Sequence, residues 1–247
     1  MRDRRYGLLR DLPDQRDRLF APSAIVLPKS VDLRAGMPAV YDQGQLGSCT
    51  ANAVSAALDF DRHKQAEAFE GPSRLFVYYN ERADQGTVSS DSGASIRESI
   101  KAVTHYGACP EAEWPYVVAK FKSKPSAKCF RDALAYEGLG YLSVAQTVTA
   151  LKTCLAQGFP VVIGISVYDS FESPAVAKSG VVPMPAKSES LLGGHAVCLV
   201  GYNADGTWLV RNSWGAAWGQ AGYFTLPGSY LLKSGLASDF WTLRTVK

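Results

Sequence analysis

Nucleophilic attack on an amide needs a thiol or hydroxyl, a base to exchange its proton, and a group that keeps the base facing it. The chain offers Cys49, His195 and Asn212 in that order. Cys49 lies in Gln43-Gly44-Gln45-Leu46-Gly47-Ser48-Cys49-Thr50, a glycine-bearing turn that runs into an alanine-rich segment. A sulfur at such a junction meets the unpaired N–H groups and the positive dipole end of a helix, both of which favour thiolate over thiol. A lone cysteine is more often a small buried hydrophobe. The case therefore rests on Leu192-Gly193-Gly194-His195-Ala196-Val197 and Arg211-Asn212-Ser213-Trp214-Gly215, each beside an apolar, strand-like run.

The elements that must position these residues can be read from periodicity. Ala53, Ala56, Ala57 and Phe60 recur at helical spacing and predict a helix over 49–65, with Asp59, Asp61, Arg62 and Lys64 as its polar side. Further helices are expected over 73–82, capped by Ser73, over 94–106, ended by Gly107, and over 147–157, ended by Gly158. After Pro160 the character changes. Apolar runs at 161–167 and 196–202, a turn signal at 203–206, and runs at 207–210, 223–226 and 241–246 predict a strand-rich half with His195 at the head of one strand. Helices first and strands second give an α+β class. The expected organisation is an N-terminal extension over 1–30, a mainly helical subdomain over 31–138 carrying Cys49, and a strand-rich subdomain over 139–247 carrying His195 and Asn212.

Gln43, Gly47-Ser48-Cys49, Gly194-His195-Ala196, and Asn212-Ser213-Trp214-Gly215 through Trp218-Gly219 and Gly222-Tyr223-Phe224 resemble the papain family of cysteine peptidases, in particular its bacterial, xylellain-like branch. The histidine follows Cys49 by 146 residues and the asparagine by 163, against roughly 130–150 for both in the family signature. The resemblance implies a papain-like two-subdomain fold with a β-barrel-like second half and the active-site cleft between the halves. It implies Cys49 as nucleophile, His195 as acid and base, Asn212 as orienter, and Gln43 with the Cys49 backbone N–H as oxyanion donors. Trp214 and Trp218 would shelter the histidine–asparagine bond from water, and a thiolate–imidazolium pair would exist before substrate binds. Gly93, Ser95, Gly164, Gly193, Gly194 and Trp214 would bind substrate, with an apolar or aromatic side chain preferred second from the cut. Two residues depart from the pattern. Leu46 stands where plant and lysosomal members carry a disulfide cysteine, so the turn must be held by packing and hydrogen bonds. Thr50 replaces an aromatic and puts the neighbouring surface in question.

Residues 1–30 mix acidic and basic side chains and contain helix-breaking Pro22 and Pro28, which reads as a solvated tail or, by the resemblance, as a short cover that restrains access to the cleft. The expected activity is a peptidase, an endopeptidase, working through a thioester on peptides or proteins. A transferase or amidase would use the same chemistry, and a silent binding protein would keep the scaffold.

With 247 residues, 47% of them hydrophobic and 20% charged, the chain has the makeup of a globular protein with an ample core. A net charge of +3 does not by itself point to nucleic acid, and the basic stretch from Lys120 to Lys128 reads as a solvated loop. No apolar run approaches the ~18 residues of a membrane span. The basic N-terminus lacks the apolar core of a signal peptide, consistent with a cytoplasmic protein or export by another route. Neither cofactor nor metal is expected, since no paired cysteines or His-x-x-x-His spacing supports zinc, and the protein is expected to be a monomer. His63 and His105 read as surface residues. Five cysteines leave room for one reactive thiol and up to two pairs, and Cys109 with Cys129 flanks a polar stretch that a disulfide could close, a pairing the sequence leaves open.

Overall fold

A computed structural model describes residues 4–66, 70–136 and 139–245. In chain order the elements are β1 (Leu8–Leu9), β2 (Val31–Asp32), α1 (Cys49–Lys64), α2 (Arg74–Ala83), β3 (Ala94–Ser95), α3 (Ile96–Tyr106), α4 (Ala127–Ala133), β4 (Leu139–Ser143), α5 (Val148–Ala156), β5 (Val161–Tyr168), α6 (Pro174–Ser179), β6 (Leu191–Tyr202), β7 (Trp208–Arg211), β8 (Tyr223–Leu226) and β9 (Ala237–Thr245). The class is α+β, as the order of helices and strands predicts.

The long strands read as continuous apolar runs because the sheet is covered on both faces. Along β5 and β6, Val161, Ile163, Ile165, Val197 and Leu199 join one core with α5, Phe171, Trp208 and Phe224. Val162, Ala196, Cys198 and Val200 face the opposite way and pack on α1, α2 and α3. That alternation follows the two-residue period of a strand.

The strands form an antiparallel path β4-β9-β5-β6-β7-β8, with β2 joining β6. This is the strand-rich half the sequence predicts, built as an open sheet: among the described residues β4 and β8 end the path without pairing with each other. Other boundaries shift in ways that matter. Helix α3 begins at Ile96, because Ala94 and Ser95 are extended and pair with β1. Ser95 caps that helix, with Glu98 completing a reciprocal capping box. Strand β6 begins at Leu191, so His195 lies inside the ladder opposite Ile165 rather than at the strand's head.

The polar side expected for α1 is largely interior. Asp59, Asp61 and Arg62 are buried, and only its last residues reach solvent. His63 pairs with Asp59 at 2.9 Å and is half exposed, and His105 is exposed, as expected for surface histidines.

The extension is ordered against the fold over its described length. Leu19 bridges Ser143, Phe20 N–H donates to Ser143 O at 2.8 Å, and Tyr202 hydroxyl donates to Pro28 O at 2.9 Å. Trp241 Nε1–H donates to Asp11 at 2.8 Å, and Arg97 binds Asp17 at 2.5 Å. A solvated tail has no such partners.

Candidate active site

Cys49 is the first residue of α1 and is fully buried. Backbone N–H groups of Ala196, Gly7 and Thr50 reach its sulfur as donors. The turn before it, lacking a cysteine at 46, is held by side chains. Tyr116 hydroxyl meets Ser48 Oγ at 2.5 Å and donates to Gln43 O at 3.0 Å. Asn52 Nδ2 donates to Ser48 O at 2.9 Å, and Gly47 N–H donates to Asp91 at 3.1 Å. Leu46 is buried in the helical core. Thr50 is also buried, where it donates to Glu81 Oε1 at 2.9 Å, so the residue that replaces an aromatic alters the interior rather than the surface.

Across the site, His195 Nε2 and Asn212 Oδ1 are 2.8 Å apart. Ser213 N–H also donates to Asn212 Oδ1 at 2.8 Å, which identifies that atom as the oxygen. The asparagine therefore accepts, His195 carries its proton on Nε2, and Nδ1 is left as a buried acceptor with no partner among the described residues. Trp214 stacks on the imidazole, centroids 4.9 Å apart, and Trp218 meets Trp214 edge-on at 5.1 Å. Trp214, Trp218, His195 and Asn212 are all buried. Gln43 Nε2 donates to Leu46 O at 2.9 Å, and its Oε1 accepts from Ser213 Oγ at 2.6 Å.

Residues 4–9 run through the middle of this arrangement. Gly7 lies so close to the nucleophile turn that a Cβ there would be 1.7 Å from Gly47 O, which only glycine permits. Ala94 N–H donates to Gly7 O at 3.0 Å, and β1 continues parallel to β3 through Leu8↔Ala94 and Leu9↔Ser95. All six expected substrate-binding residues meet this segment. Gly93 has φ of 68° and leaves no room for a side chain against Gly7 O. Leu8 packs on Gly164 and Gly194, Leu9 pairs with Ser95, and Tyr6 covers Gly193. Arg4 lies 3.8 Å over the Trp214 ring. Arg4 and Tyr6 both engage Glu172, the former at 3.6 Å, and Arg5 pairs with Asp91 at 3.3 Å.

Enclosure sets the protonation state. Burial pushes the Cys49 thiol up to about 11, against the opposing pull of the backbone donors. Burial likewise pushes His195 down to about 4; the Asn212 bond opposes this and nearby Arg4 adds to it. The thiolate–imidazolium pair expected before substrate binding is therefore disfavoured while the site is enclosed, where desolvation outweighs the backbone donors.

Comparison with known proteins gives the family. The profile of the papain family cysteine proteases matches residues 27–240. The chain belongs to the papain family. Xylellain, a cysteine protease from Xylella fastidiosa, has a crystal structure that superposes with a TM-score of 0.93 at 42% identity, covering 100% of this chain and 98% of that one. An uncharacterized peptidase C1-like protein, L477, of Acanthamoeba polyphaga mimivirus is 40% identical over 98% of this chain and 88% of its own length. Procathepsin L of Mus musculus is 29% identical over 86% of this chain and 64% of its own.

As a papain-family cysteine protease the chain is a hydrolase whose substrates are peptides or proteins. No described helix is long and apolar enough to cross a membrane. Motif reading did not single out Tyr116, Glu81, Asp91, Tyr6 or Glu172. Tyr116 sits in Trp114-Pro115-Tyr116, a loop with no periodicity to mark it, and Glu81 reads as part of an ordinary helix. The one signal available was Leu46, whose lost disulfide called for a substitute.

Proposed function

We propose that the protein is an endopeptidase working through a Cys49-His195-Asn212 thioester mechanism and restrained by its own N-terminal segment. Once the cleft is open to water, the desolvation that holds both groups neutral is relieved, and the Cys49 proton passes to His195 Nδ1. The sulfur attacks the scissile carbonyl, whose oxyanion is met by the Cys49 N–H and the Gln43 side-chain amide, each worth roughly 2.7–4 kcal/mol in comparable hydrolases. His195 gives its proton to the leaving amine, then takes one from water as the thioester is hydrolysed. Asn212 accepts from Nε2–H throughout and keeps Nδ1 toward the sulfur.

The observation that carries the restraint is direction. An acyl donor must bring a carbonyl to Cys49 with its preceding residue in the pocket at Gly164. The extension does the opposite: Leu8, which occupies that place, follows Gly7, whose N–H points at the sulfur and whose carbonyl is engaged by Ala94. A reversed chain fills the cleft without offering an electrophile. Leu8 against Gly164 and Gly194 also supports an apolar preference at the position second from the cut.

The test is a peptide-library cleavage assay on wild type, Cys49→Ala and a protein lacking residues 1–9. Deletion is expected to raise kcat/KM at least ~10-fold, a change of about 1.4 kcal/mol in the closed-to-open balance. Equal turnover with and without the segment would remove the restraint. Covalent labelling of Cys49 without cleavage of any library member would favour a transferase.

A further inference from the structure

Cys109 and Cys129 lie outside the site just described, and both are fully buried free thiols. Cys109 follows α3 and precedes Pro110, whereas Cys129 sits on α4. The two sulfurs and a Glu113 oxygen all lie within 4.8 Å of one another. Phe76, Phe130 and Ala133 close over them. Elsewhere in the chain, buried thiols such as Cys154 and Cys198 sit in separate parts of the cores.

The loop that starts at Cys109 reaches the nucleophile turn in a few bonds. Ser73 N–H donates to Cys109 O at 2.8 Å, and Ser73 Oγ donates to Trp114 O at 2.6 Å. Tyr116 N–H donates to Glu111 at 2.9 Å, and the Tyr116 hydroxyl then holds Ser48 and Gln43 O. Helix α4, by contrast, is 7 residues long and follows an exposed turn containing Val117 and Val118.

We infer that Cys109 and Cys129 are a redox-closable pair, converted by a small disulfide of the glutathione type into an intramolecular bridge that pins α4 to the loop carrying Tyr116. One cysteine, as thiolate, attacks a sulfur of the small disulfide, forming a mixed disulfide and releasing one equivalent of small thiol. The other then attacks the protein sulfur of that bond and releases the second. Two protein thiols lose two electrons and two protons, and one small disulfide becomes two thiols. Burial, with the adjacent Cys129 sulfur, pushes the Cys109 thiol well above the ordinary range, so exchange proceeds through openings of α4 or during folding. Glu113 makes the cluster resemble a metal site, but Lys128 already pairs with that carboxylate, placing a cation beside it.

The test uses full-length Cys49→Ala, which keeps four thiols. After refolding in oxidised glutathione, two of the four are expected to become unreactive in denaturant, with a peptide linking Cys109 to Cys129. Tm should rise by several °C, on the order expected for closing a loop of this length, and fall again with dithiothreitol. Exchange of the Tyr116 amide should slow several-fold on oxidation, and Cys129→Ser should show neither change. Four reactive thiols, glutathione adducts without a bridge, or stoichiometric zinc uptake that blocks oxidation would each overturn the proposal, and unchanged Tyr116 exchange in a bridged protein would overturn the link to the loop.

Discussion

The two sides of the candidate site are built by different means. His195 and Asn212 are placed by backbone ladders: β6 pairs with β5 through Ile165↔His195 and with β7 through Cys198↔Arg211, and Asn212 N–H donates to Gly222 O at 2.9 Å. Cys49 is placed by individual side chains, with Tyr116, Asn52, Asp91 and Glu81 each holding one point of the turn or the helix start. A ladder distributes register over many equivalent bonds, so losing one moves little. Single side-chain bonds have no such reserve, and substitutions away from the reacting groups should be felt mainly on the cysteine side.

The largest effect belongs to the groups the two sides must bring together. Cys49→Ala and His195→Ala should each lower kcat by at least ~10⁴-fold, and the double variant should be scarcely worse, because the pair acts as a unit. Additive losses in single-turnover assays would mean that the two residues serve separate steps.

Next come the groups that serve them. Gln43→Ala, on the cysteine side, should cost ~10²–10³-fold in kcat. Asn212→Ala should cost ~10–10²-fold, the worth of one hydrogen bond to a charge-bearing partner. A reversed order would show that ladder placement of the imidazole does not suffice without its asparagine.

Tyr116→Phe removes the bonds to Ser48 and Gln43 at a cost of about 1 kcal/mol, or ~2–4 °C in Tm for a chain of this size, and should lower kcat several-fold. Leu199→Ala, inside the ladder, should cost more stability, ~2–5 kcal/mol, while leaving kcat of the folded protein unchanged. Parallel calorimetry and kinetics would break the comparison if the ladder variant lost more activity than the tyrosine variant.

A separate effect, on stability alone, concerns pH. Burial pushes the Glu81 carboxyl from its ordinary 4.5 up to about 8. Between those values the folded protein holds a proton that the unfolded chain has released, so stability falls as pH rises through that window and levels off above it. Glu81→Gln should flatten this slope in urea titrations at pH 5, 6.5 and 8, and an unchanged slope would assign it to another group.

How far the sequence anticipated this depends on the type of signal. Cys49, His195, Asn212 and Gln43 were legible because each sits in a local motif, and β5 and β6 because buried strands are long apolar runs. Helices α4 and α6 and strand β1 span too few residues for periodicity to register. Asp59, Asp61 and Arg62 read as a solvent face, since composition along one helix does not reveal what packs over it. The open sheet depends on which strands meet at its ends, a non-local fact. For the extension, mixed charge suggested a tail as readily as a cover. The detail that supports a cover is steric: only Gly7 fits against Gly47, and no pattern of polarity encodes that.

The proposed restraint has a kinetic corollary. Being part of the same chain, it competes at a fixed effective concentration that dilution does not change. Every substrate then meets the same fraction of open enzyme, so the second-order rate constant for each is scaled by one common factor. Ratios between substrates are untouched. In the proposed arrangement, residues 4–9 govern how fast the enzyme works, while the choice among peptides rests with the pocket they vacate.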